Sequence, residues 1–481
     1  MSVQKYPTIG KGLVVPFALI TTCFALWGAA NNMTDLLVTV FKQVKEMSSL
    51  QASVIQTAFY FAYFLAPIPA AFFLKKFGYK ASAVGGLVLY AVGAFLCYPA
   101  SQVDSFSFFL VAFFTFAFGC AILETSVAPF ILAMGPKETS TQRINLAQSF
   151  NPVGSVGGIM LGKFVILQHL TSPERMASLE GAEKAAAQAQ DLGLVVNAYA
   201  VVGLIALVVA IAIFMRKFPD IKGEESHSTV SESLSRLIKN KNYIFSVIAQ
   251  FFYVAAQIGI WTFIIPFALA SGSDFKATLC DFKLFGGDVN ITLGSSDANE
   301  AWGYYFLSII CILIGRFIYT ALMKKFDPAR LLSVGMGLAI FFTACAIFGS
   351  GNFAVFSVVM ISLVMSLGFP TIYGLGLTGL EGDDRKVGGS GIIMAIVGGA
   401  ILVPLQGLMN DGRLPDGDFF VDAFIRTIFT PVKGIFDSIG FSYSSANSYL
   451  MPLTCFIIIL VYSFIAHNKE EEEGILHENE D

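Results

Sequence analysis

Two carboxyl groups lie inside long apolar stretches of this sequence, where a charged side chain is costly and usually serves function. Asp35 follows Asn31 by four residues and Asn32 by three, so the three side chains share one face of a helix. Glu124 has no basic neighbour in the sequence, so any cation must come from another helix. Because low polarity disfavours the charged form of a carboxyl group, we predict that Asp35 and Glu124 bind protons. Asn31 and Asn32 are predicted to contact a polar solute. A structural carboxylate near the lipid headgroups is the alternative for Asp35.

Amide side chains form a second set of candidates. Asn145, Gln148 and Asn151 recur every three residues and make a polar stripe along one helix. An amide is both donor and acceptor, which suits neighbouring hydroxyl groups such as those of a sugar. Amides also join membrane helices to one another, which is the alternative role of this stripe. We predict solute contact for the two deeper residues, Gln148 and Asn151.

Aromatic and amide side chains alternate on one face of a later apolar stretch. Tyr253, Gln257 and Trp261 follow one another at four-residue intervals. An aromatic ring can cover the apolar face of a sugar while an amide binds its hydroxyl groups. We predict solute binding by all three, and helix packing is the alternative for the two aromatic residues.

Other residues in the apolar stretches suggest structural roles. Arg316 lies less than two helical turns from one end of its stretch. We predict that it forms a salt bridge at a gate or extends to the membrane surface, rather than binding solute. The four-residue spacing of Gly154, Gly158 and Gly162 is typical of closely packed membrane helices.

The elements that position these residues are membrane helices. The chain has 481 residues, of which 55% are hydrophobic and only 13% charged, whereas soluble proteins carry about 25% charged residues. About twelve segments reach the length needed to cross a bilayer, and the absence of strand alternation excludes a barrel. They lie near 13–40, 52–75, 80–100, 107–134, 143–169, 193–215, 242–271, 301–323, 330–350, 354–378, 387–411 and 446–466. We predict an all-α membrane protein.

Basic residues and one long polar connection divide and orient the chain. With the amino terminus inside, inner segments hold more Lys and Arg than outer ones by about two to one, which places both termini in the cytoplasm. The polar segment 216–241 separates a half at 1–215 from a half at 242–466, and an acidic tail at 467–481 follows.

The two halves repeat one feature. The second span ends in Phe-Leu-Lys-Lys-Phe-Gly-Tyr-Lys at 73–80, and the eighth ends in Leu-Met-Lys-Lys-Phe-Asp-Pro-Ala-Arg at 322–330. A basic cluster at the same place in both halves indicates an internal repeat. Two six-helix halves around a central solute site are the major facilitator arrangement, so we expect transport by rocking of the halves.

Several other functions are excluded by features that the sequence lacks. A net charge of −4 gives the chain no excess of basic residues with which to bind nucleic acid. The sequence has no Gly-Lys-Ser/Thr phosphate loop, which excludes an ATP-driven pump. Its Cys and His residues are scattered, so we predict no metal site. The sequence shows no nucleophile–base pair, so we do not predict an enzyme. The predicted partners are a small solute, a proton and lipid; we expect a monomer that needs no cofactor.

Several motifs occur in order along both halves. They are Asn31-Asn-Met-Thr-Asp35, Gln56-Thr-Ala-Phe-Tyr60, Leu123-Glu124-Thr125, Arg143-Ile-Asn-Leu-Ala-Gln148-Ser-Phe-Asn151, Ala249-Gln250-Phe-Phe-Tyr253-Val-Ala-Ala-Gln257 and Pro370-Thr-Ile. Together they resemble the L-fucose:proton symporter family, the fucose permeases, over nearly all spans.

The resemblance implies a major facilitator fold of twelve helices in a bacterial inner membrane. It implies import of L-fucose or a related hexose by alternating access, with Asp35 and Glu124 coupling the proton. The same resemblance implies sugar contacts for Asn32, Gln148 and Gln257, and for Asn151.

The sequence departs from the family pattern in places, and other functions stay open. Thr34 stands where the family has a second Asn before the carboxylate, and Pro152 follows the amide stripe. The outer segments 170–192, 272–300 and 412–445 are long. A glucose/galactose transporter of the same family, a facilitator or exporter of another solute, and a membrane sugar sensor are the alternatives.

Overall fold

The apolar stretches of the amino-terminal half fold into helices in the computed structural model. The structure describes residues 6–10, 12–44, 58–59, 61–103, 105–166, 169–216, 218, 229–284, 287–296, 298–414 and 420–478. The first helices are α1 (Val14–Val44), α2 (Pro67–Gln102), α3 (Phe106–Leu132), α4 (Ser140–Gln148), α5 (Phe150–Met160), α6 (Pro173–Ser178) and α7 (Gly181–Met215).

The carboxy-terminal half repeats this helical pattern after a short linker helix. Its elements are α8 (Val230–Lys239), α9 (Lys241–Ala270), β1 (Ala277–Leu284), β2 (Gly287–Leu293), α10 (Ala298–Leu322), α11 (Pro328–Phe348), α12 (Gly351–Met365), α13 (Gly368–Gly376), α14 (Gly382–Met394), α15 (Val397–Asp411), α16 (Phe420–Ser438), α17 (Ser445–Ser448) and α18 (Leu450–Glu478). Among the described residues, ten helical segments are long and apolar enough to cross a membrane.

Two of the predicted spans are not separate segments among those ten, each for a local reason. Residues 52–57 and 60 of the span predicted at 52–75 are outside the described residues, and its last part continues into the next span as α2. Gly78, at φ +79°, marks the kink between those two spans. The span predicted at 143–169 is divided into α4, α5 and a π-helical turn at Leu161–Ile166. Pro152 lacks the N–H that would bond to the carbonyl oxygen of Gln148, and the helix divides at this level.

Glycines bring α1 and α5 into backbone contact. A Cβ atom at Gly154 would lie 1.8 Å from the carbonyl oxygen of Ala25, and one at Gly158 would lie 2.6 Å from that of Ala29. No side chain larger than hydrogen fits at such separations. The predicted close packing at these two glycines is confirmed.

The prediction of an all-helical chain missed a β-hairpin. Strands β1 and β2 pair antiparallel in the connection between α9 and α10. Ile291 of β2 is buried among Met160, Trp302 and Phe306. Met160 belongs to the amino-terminal half, so the hairpin contacts both halves. We call this side of the molecule the hairpin face.

Candidate functional site

Glu124 lies buried on α3 at the boundary between the two halves. Its side chain is 3% exposed, and neither carboxyl oxygen accepts a hydrogen bond from any described residue. Arg316 on α10 of the other half acts on it electrostatically, and Glu124 in turn acts on Tyr63 of the same half and on Tyr373 of α13 in the other half. The partner cation therefore comes from another helix, in agreement with the sequence argument.

Arg316 is buried and crosses from one half to the other. Only 4% of it is exposed, and its Nη1 donates a hydrogen bond to the carbonyl oxygen of Gln148. That oxygen lacks an intrahelical donor because Pro152 has no N–H. The Nε atom has no hydrogen-bond acceptor within the described chain. The alternative in which Arg316 extends to the membrane surface is therefore wrong, and a contact between the halves takes its place.

The three amide side chains of the stripe differ in how many hydrogen bonds they make. Asn145 donates to the Thr371 hydroxyl at 3.1 Å, which joins the halves, and Asn151 donates to the carbonyl oxygen of Phe24 at 3.3 Å. The side-chain amide of Gln148 is fully buried, and neither of its polar atoms bonds to a described residue. Of the three, Gln148 thus retains its whole hydrogen-bonding capacity beside Arg316.

The predicted residues of α1 lie towards the hairpin face. Asn32 accepts a hydrogen bond from the Tyr305 hydroxyl at 2.9 Å and donates to the carbonyl oxygen of Gly28 at 3.0 Å. Asn31 is half-buried. Asp35 belongs to the same helix, but its side chain lies outside the part of the chain that the structure describes.

The aromatic residues of α9 pack against α12. Tyr253 is fully buried and donates to the carbonyl oxygen of Met365 at 3.0 Å. Trp261 donates through Nε1 to the Ser362 hydroxyl at 3.2 Å. Gln257 lies between them in sequence, is half-buried, and makes no side-chain hydrogen bond to the described residues. These contacts favour packing for Tyr253 and leave Gln257 available to a solute.

Sequence reasoning missed Trp27 and Phe369, which belong to an aromatic group beside the buried carboxyl group. Trp27 on α1 donates a hydrogen bond to the Tyr63 hydroxyl, and its ring centroid lies 6.3 Å from that of Phe369 on α13. Tyr373 is fully buried, and its hydroxyl lacks a partner in the described chain. No spacing signal could have joined these residues, because they lie on helices far apart in sequence.

Ion pairs join the halves at the side opposite the hairpin face, which we call the charged face. Lys75 lies 2.9 Å from Asp383, and Lys137 pairs with Glu381. The basic cluster at 73–80 was expected, whereas its acidic partners in 381–384 were not. On the linker helix α8, the hydrogen bond with Asp384 raises the pKa of Arg236.

Comparisons with known proteins cover most of the chain. Residues 17–404 match the family model described as Major Facilitator Superfamily. An L-fucose-proton symporter of Haemophilus influenzae is 37% identical over 95% of this chain and 97% of its own, and one of Escherichia coli is 33% identical over 89% and 94%. A glucose/galactose transporter of Brucella abortus is 29% identical over 82% and 88%. A crystal structure of the Escherichia coli fucose:proton symporter superposes with a TM-score of 0.77 at 31% identity, covering 95% of this chain and 99% of that one.

Proposed function

This chain belongs to the Major Facilitator Superfamily, and we propose that it is a proton-coupled symporter that imports L-fucose or a closely related hexose by alternating access. The sequence-based assignment to the fucose permease family and its fold is confirmed. The chain is an integral membrane protein and a transporter rather than an enzyme. One structural observation carries the mechanism. It is the buried Glu124 at the boundary between the halves, beside Arg316 and Gln148.

Glu124 is the proposed site of the coupling proton. A buried carboxyl group without hydrogen-bond donors favours its neutral form, because the surrounding helices cannot replace the hydration of a carboxylate. In the ionised form it attracts Arg316 from the opposite half. Protonation removes that attraction and weakens the contact between the halves at this level. Binding and release of one proton can therefore bias the rocking of the halves. Asp35 is a second proposed proton site.

Amide groups with unused hydrogen bonds form the proposed sugar site. The Gln148 amide can donate and accept with neighbouring sugar hydroxyls, because no described residue occupies it. Gln257 and Asn31 offer the same chemistry, while Asn32 would exchange its bond with Tyr305 for one to the sugar. Asn151, Tyr253 and Trp261 already donate hydrogen bonds to neighbouring helices. They would contact the sugar only through the parts of their side chains that these bonds leave open.

The charged face supports a proposed orientation. Its basic residues, among them Lys75, Lys137 and Arg236, match the excess of Lys and Arg expected in cytoplasmic connections. We infer that this face and both termini are cytoplasmic in a bacterial inner membrane, and that the hairpin face is outside. The halves proposed as moving bodies are 1–215 and 242–466. We also propose that the chain acts as a monomer.

Proton-coupled sugar uptake can be tested in reconstituted vesicles. L-Fucose added outside should make the external solution alkaline, and a protonophore should abolish sugar accumulation while leaving counterflow intact. Accumulation that ignores the protonophore would contradict symport. Binding of L-fucose without counterflow would indicate a sensor.

A glucose/galactose transporter is the second candidate, favoured by the 29% identical relative. Competition distinguishes the two. Unlabelled L-fucose should displace labelled L-fucose at a lower concentration than D-glucose or D-galactose does. The reverse order would assign the chain to the second function.

A further inference from the structure

The helix α16 carries an apolar stripe that none of the described residues covers. Ile428, Ile435 and Ile439 are 43%, 61% and 68% exposed. Ile439 continues the last turn, because its N–H donates to the carbonyl oxygen of Ile435 at 3.1 Å. At about 100° per residue the three side chains lie within about 40° of one another. A continuous exposed apolar stripe indicates an interaction surface.

Outside the stripe, α16 has a buried aromatic side chain on one side and polar side chains on the side opposite the isoleucines. Phe429 is 8% exposed and lies about 100° from the stripe, so it anchors the helix to the protein. Lys433 and Asp437 lie about 140–180° from the stripe and form an ion pair at 2.7 Å. Thr430 lies on the same side of the helix as this ion pair, and its side chain is exposed. The helix is therefore amphipathic, with its charges directed away from its exposed isoleucines.

Two features place α16 close to the end of a membrane helix. Phe429 and the last turns of α15, including Pro404 and Leu408, line a cavity of 270 Å³. After α16 the chain returns to the same place, where the N–H of Ser444 donates to the carbonyl oxygen of Met409 at 3.2 Å. The helix is thus held at the level where α15 leaves the bilayer. Ile401, earlier on α15, is 47% exposed and belongs to the apolar outer surface of the membrane helices.

We propose that α16 lies in the membrane interface on the hairpin face, with Ile428, Ile435 and Ile439 covered by phospholipid acyl chains. The helix lies beside the end of α15, whose exposed Ile401 belongs to the outer surface of the membrane helices, and this position makes lipid the occupant that fits. An amphipathic helix with this division of charge suits the boundary between headgroups and acyl chains. The exposed side chain of Arg413 lines the same cavity and offers a cation to a lipid phosphate.

Nitroxide accessibility in phospholipid vesicles tests this placement. The experiment uses Ile435→Cys and Ile428→Cys in the full chain, with Cys280, Cys311 and Cys345 replaced by Ser because those three are not fully buried. Each variant is labelled and exposed to oxygen, which concentrates in lipid, and to a water-soluble nickel chelate. Thr430→Cys is the matched control on the water-facing side of the same helix.

The proposal requires an oxygen-to-nickel collision ratio several-fold higher at positions 428 and 435 than at position 430. Equal ratios at all three positions would mean that the stripe faces water, which overturns the proposal. Protection of 428 and 435 from both reagents would mean that protein covers the stripe, and would overturn it in favour of a second copy of the chain. The readout does not depend on transport activity.

Discussion

At the scale of single residues, burial alone does not identify a sugar contact. Gln148 and Tyr253 are equally buried, yet the tyrosine hydroxyl already bonds to Met365 and the glutamine amide has no partner in the described chain. A buried polar group without a partner costs free energy that a bound solute can recover. Unused hydrogen-bonding capacity is thus the better criterion for a binding residue.

Replacement of Glu124 by glutamine should separate proton coupling from sugar binding. The amide is nearly the same size but cannot carry the proton or attract Arg316 as an anion. We expect L-fucose counterflow to persist, while accumulation driven by a pH gradient falls to simple equilibration. Both are measured with labelled sugar in vesicles. Glu138→Gln, at an exposed position, serves as the control and should accumulate normally. Normal accumulation in the Glu124 variant would refute the proton role.

Two substitutions on α9 should affect different properties, one the stability of the protein and the other its affinity for sugar. Tyr253→Phe removes a buried hydrogen bond and should lower the free energy of unfolding by about 1 kcal/mol, with little change in sugar affinity. Gln257→Ala should weaken sugar binding several-fold with little loss of stability. Thermal unfolding and equilibrium binding measure the two effects. If the Tyr253 variant binds sugar more weakly at unchanged stability, the result would support the predicted contact of Tyr253 with the sugar.

At the scale of elements, the divided helix α4–α5 creates the site. Pro152 leaves the carbonyl oxygen of Gln148 without a donor from its own helix, and Arg316 donates to it from the other half. The division also places the Gln148 side chain at the end of α4 rather than inside a continuous span. One proline therefore supplies both the acceptor and the position.

Pro152→Ala should restore the missing N–H and so compete with Arg316 for the same oxygen. Pro152 lies in the first turn of α5, where proline is tolerated, so the variant should be about as stable as the parent. We expect slower transport, because the contact between the halves at this level changes. Initial uptake rates and thermal unfolding provide the comparison. Unchanged rates would show that the Arg316 contact does not affect turnover.

The close contact between α1 and α5 can be tested with a matched pair of glycines. Gly154→Ala would place a Cβ atom 1.8 Å from a carbonyl oxygen, whereas a Cβ atom at Gly157 meets no other group within 4 Å. Overpacking of this kind costs about 1–3 kcal/mol. Thermal unfolding should therefore shift down for Gly154→Ala and stay the same or rise for Gly157→Ala. Equal shifts would mean that the helices can separate without cost.

At the scale of the whole molecule, contacts between the halves form a graded series. Ion pairs occupy the charged face, and deeper in the membrane the amide contact of Gln142 with the carbonyl oxygen of Thr320 at 3.2 Å replaces them. Glu124, Gln148 and Arg316 follow, and the hydrogen bond between Asn32 and Tyr305 lies towards the hairpin face. The halves are therefore held together by different chemistry at each level, which allows a proton to affect one level selectively.

Reversing charge at the charged face should open that face. In Asp383→Lys, a new cation would face Lys75 and Lys386, and the like charges would repel one another across the boundary between the halves. A cysteine placed at Gln142, which is 4% exposed, should then react faster with an impermeant maleimide. Adding Lys75→Asp should restore slow labelling. If labelling stays fast in the double variant, the pair does not hold the face closed.

The sequence by itself determined which segments cross the membrane and which residues carry the polar chemistry. Apolar length predicted most of the spans, and the four-residue glycine spacing predicted that α5 packs closely against another helix, because both depend on local periodicity. Intramembrane carboxyl and amide groups stood out because a polar group in lipid needs a reason to be there.

Only the tertiary structure decided which of those groups remain available and which are already bonded. The contact of Arg316 with Gln148 and that of Lys75 with Asp383 join residues far apart in the chain. Their formation depends on the rotation and depth of each helix, which hydropathy does not encode. The β-hairpin was missed because its strands lie in a connection between membrane spans, where the search for long apolar stretches gives no signal. Glu124 was recognised from the sequence, but its place between the halves became known only when Arg316 and Tyr373 were found beside it.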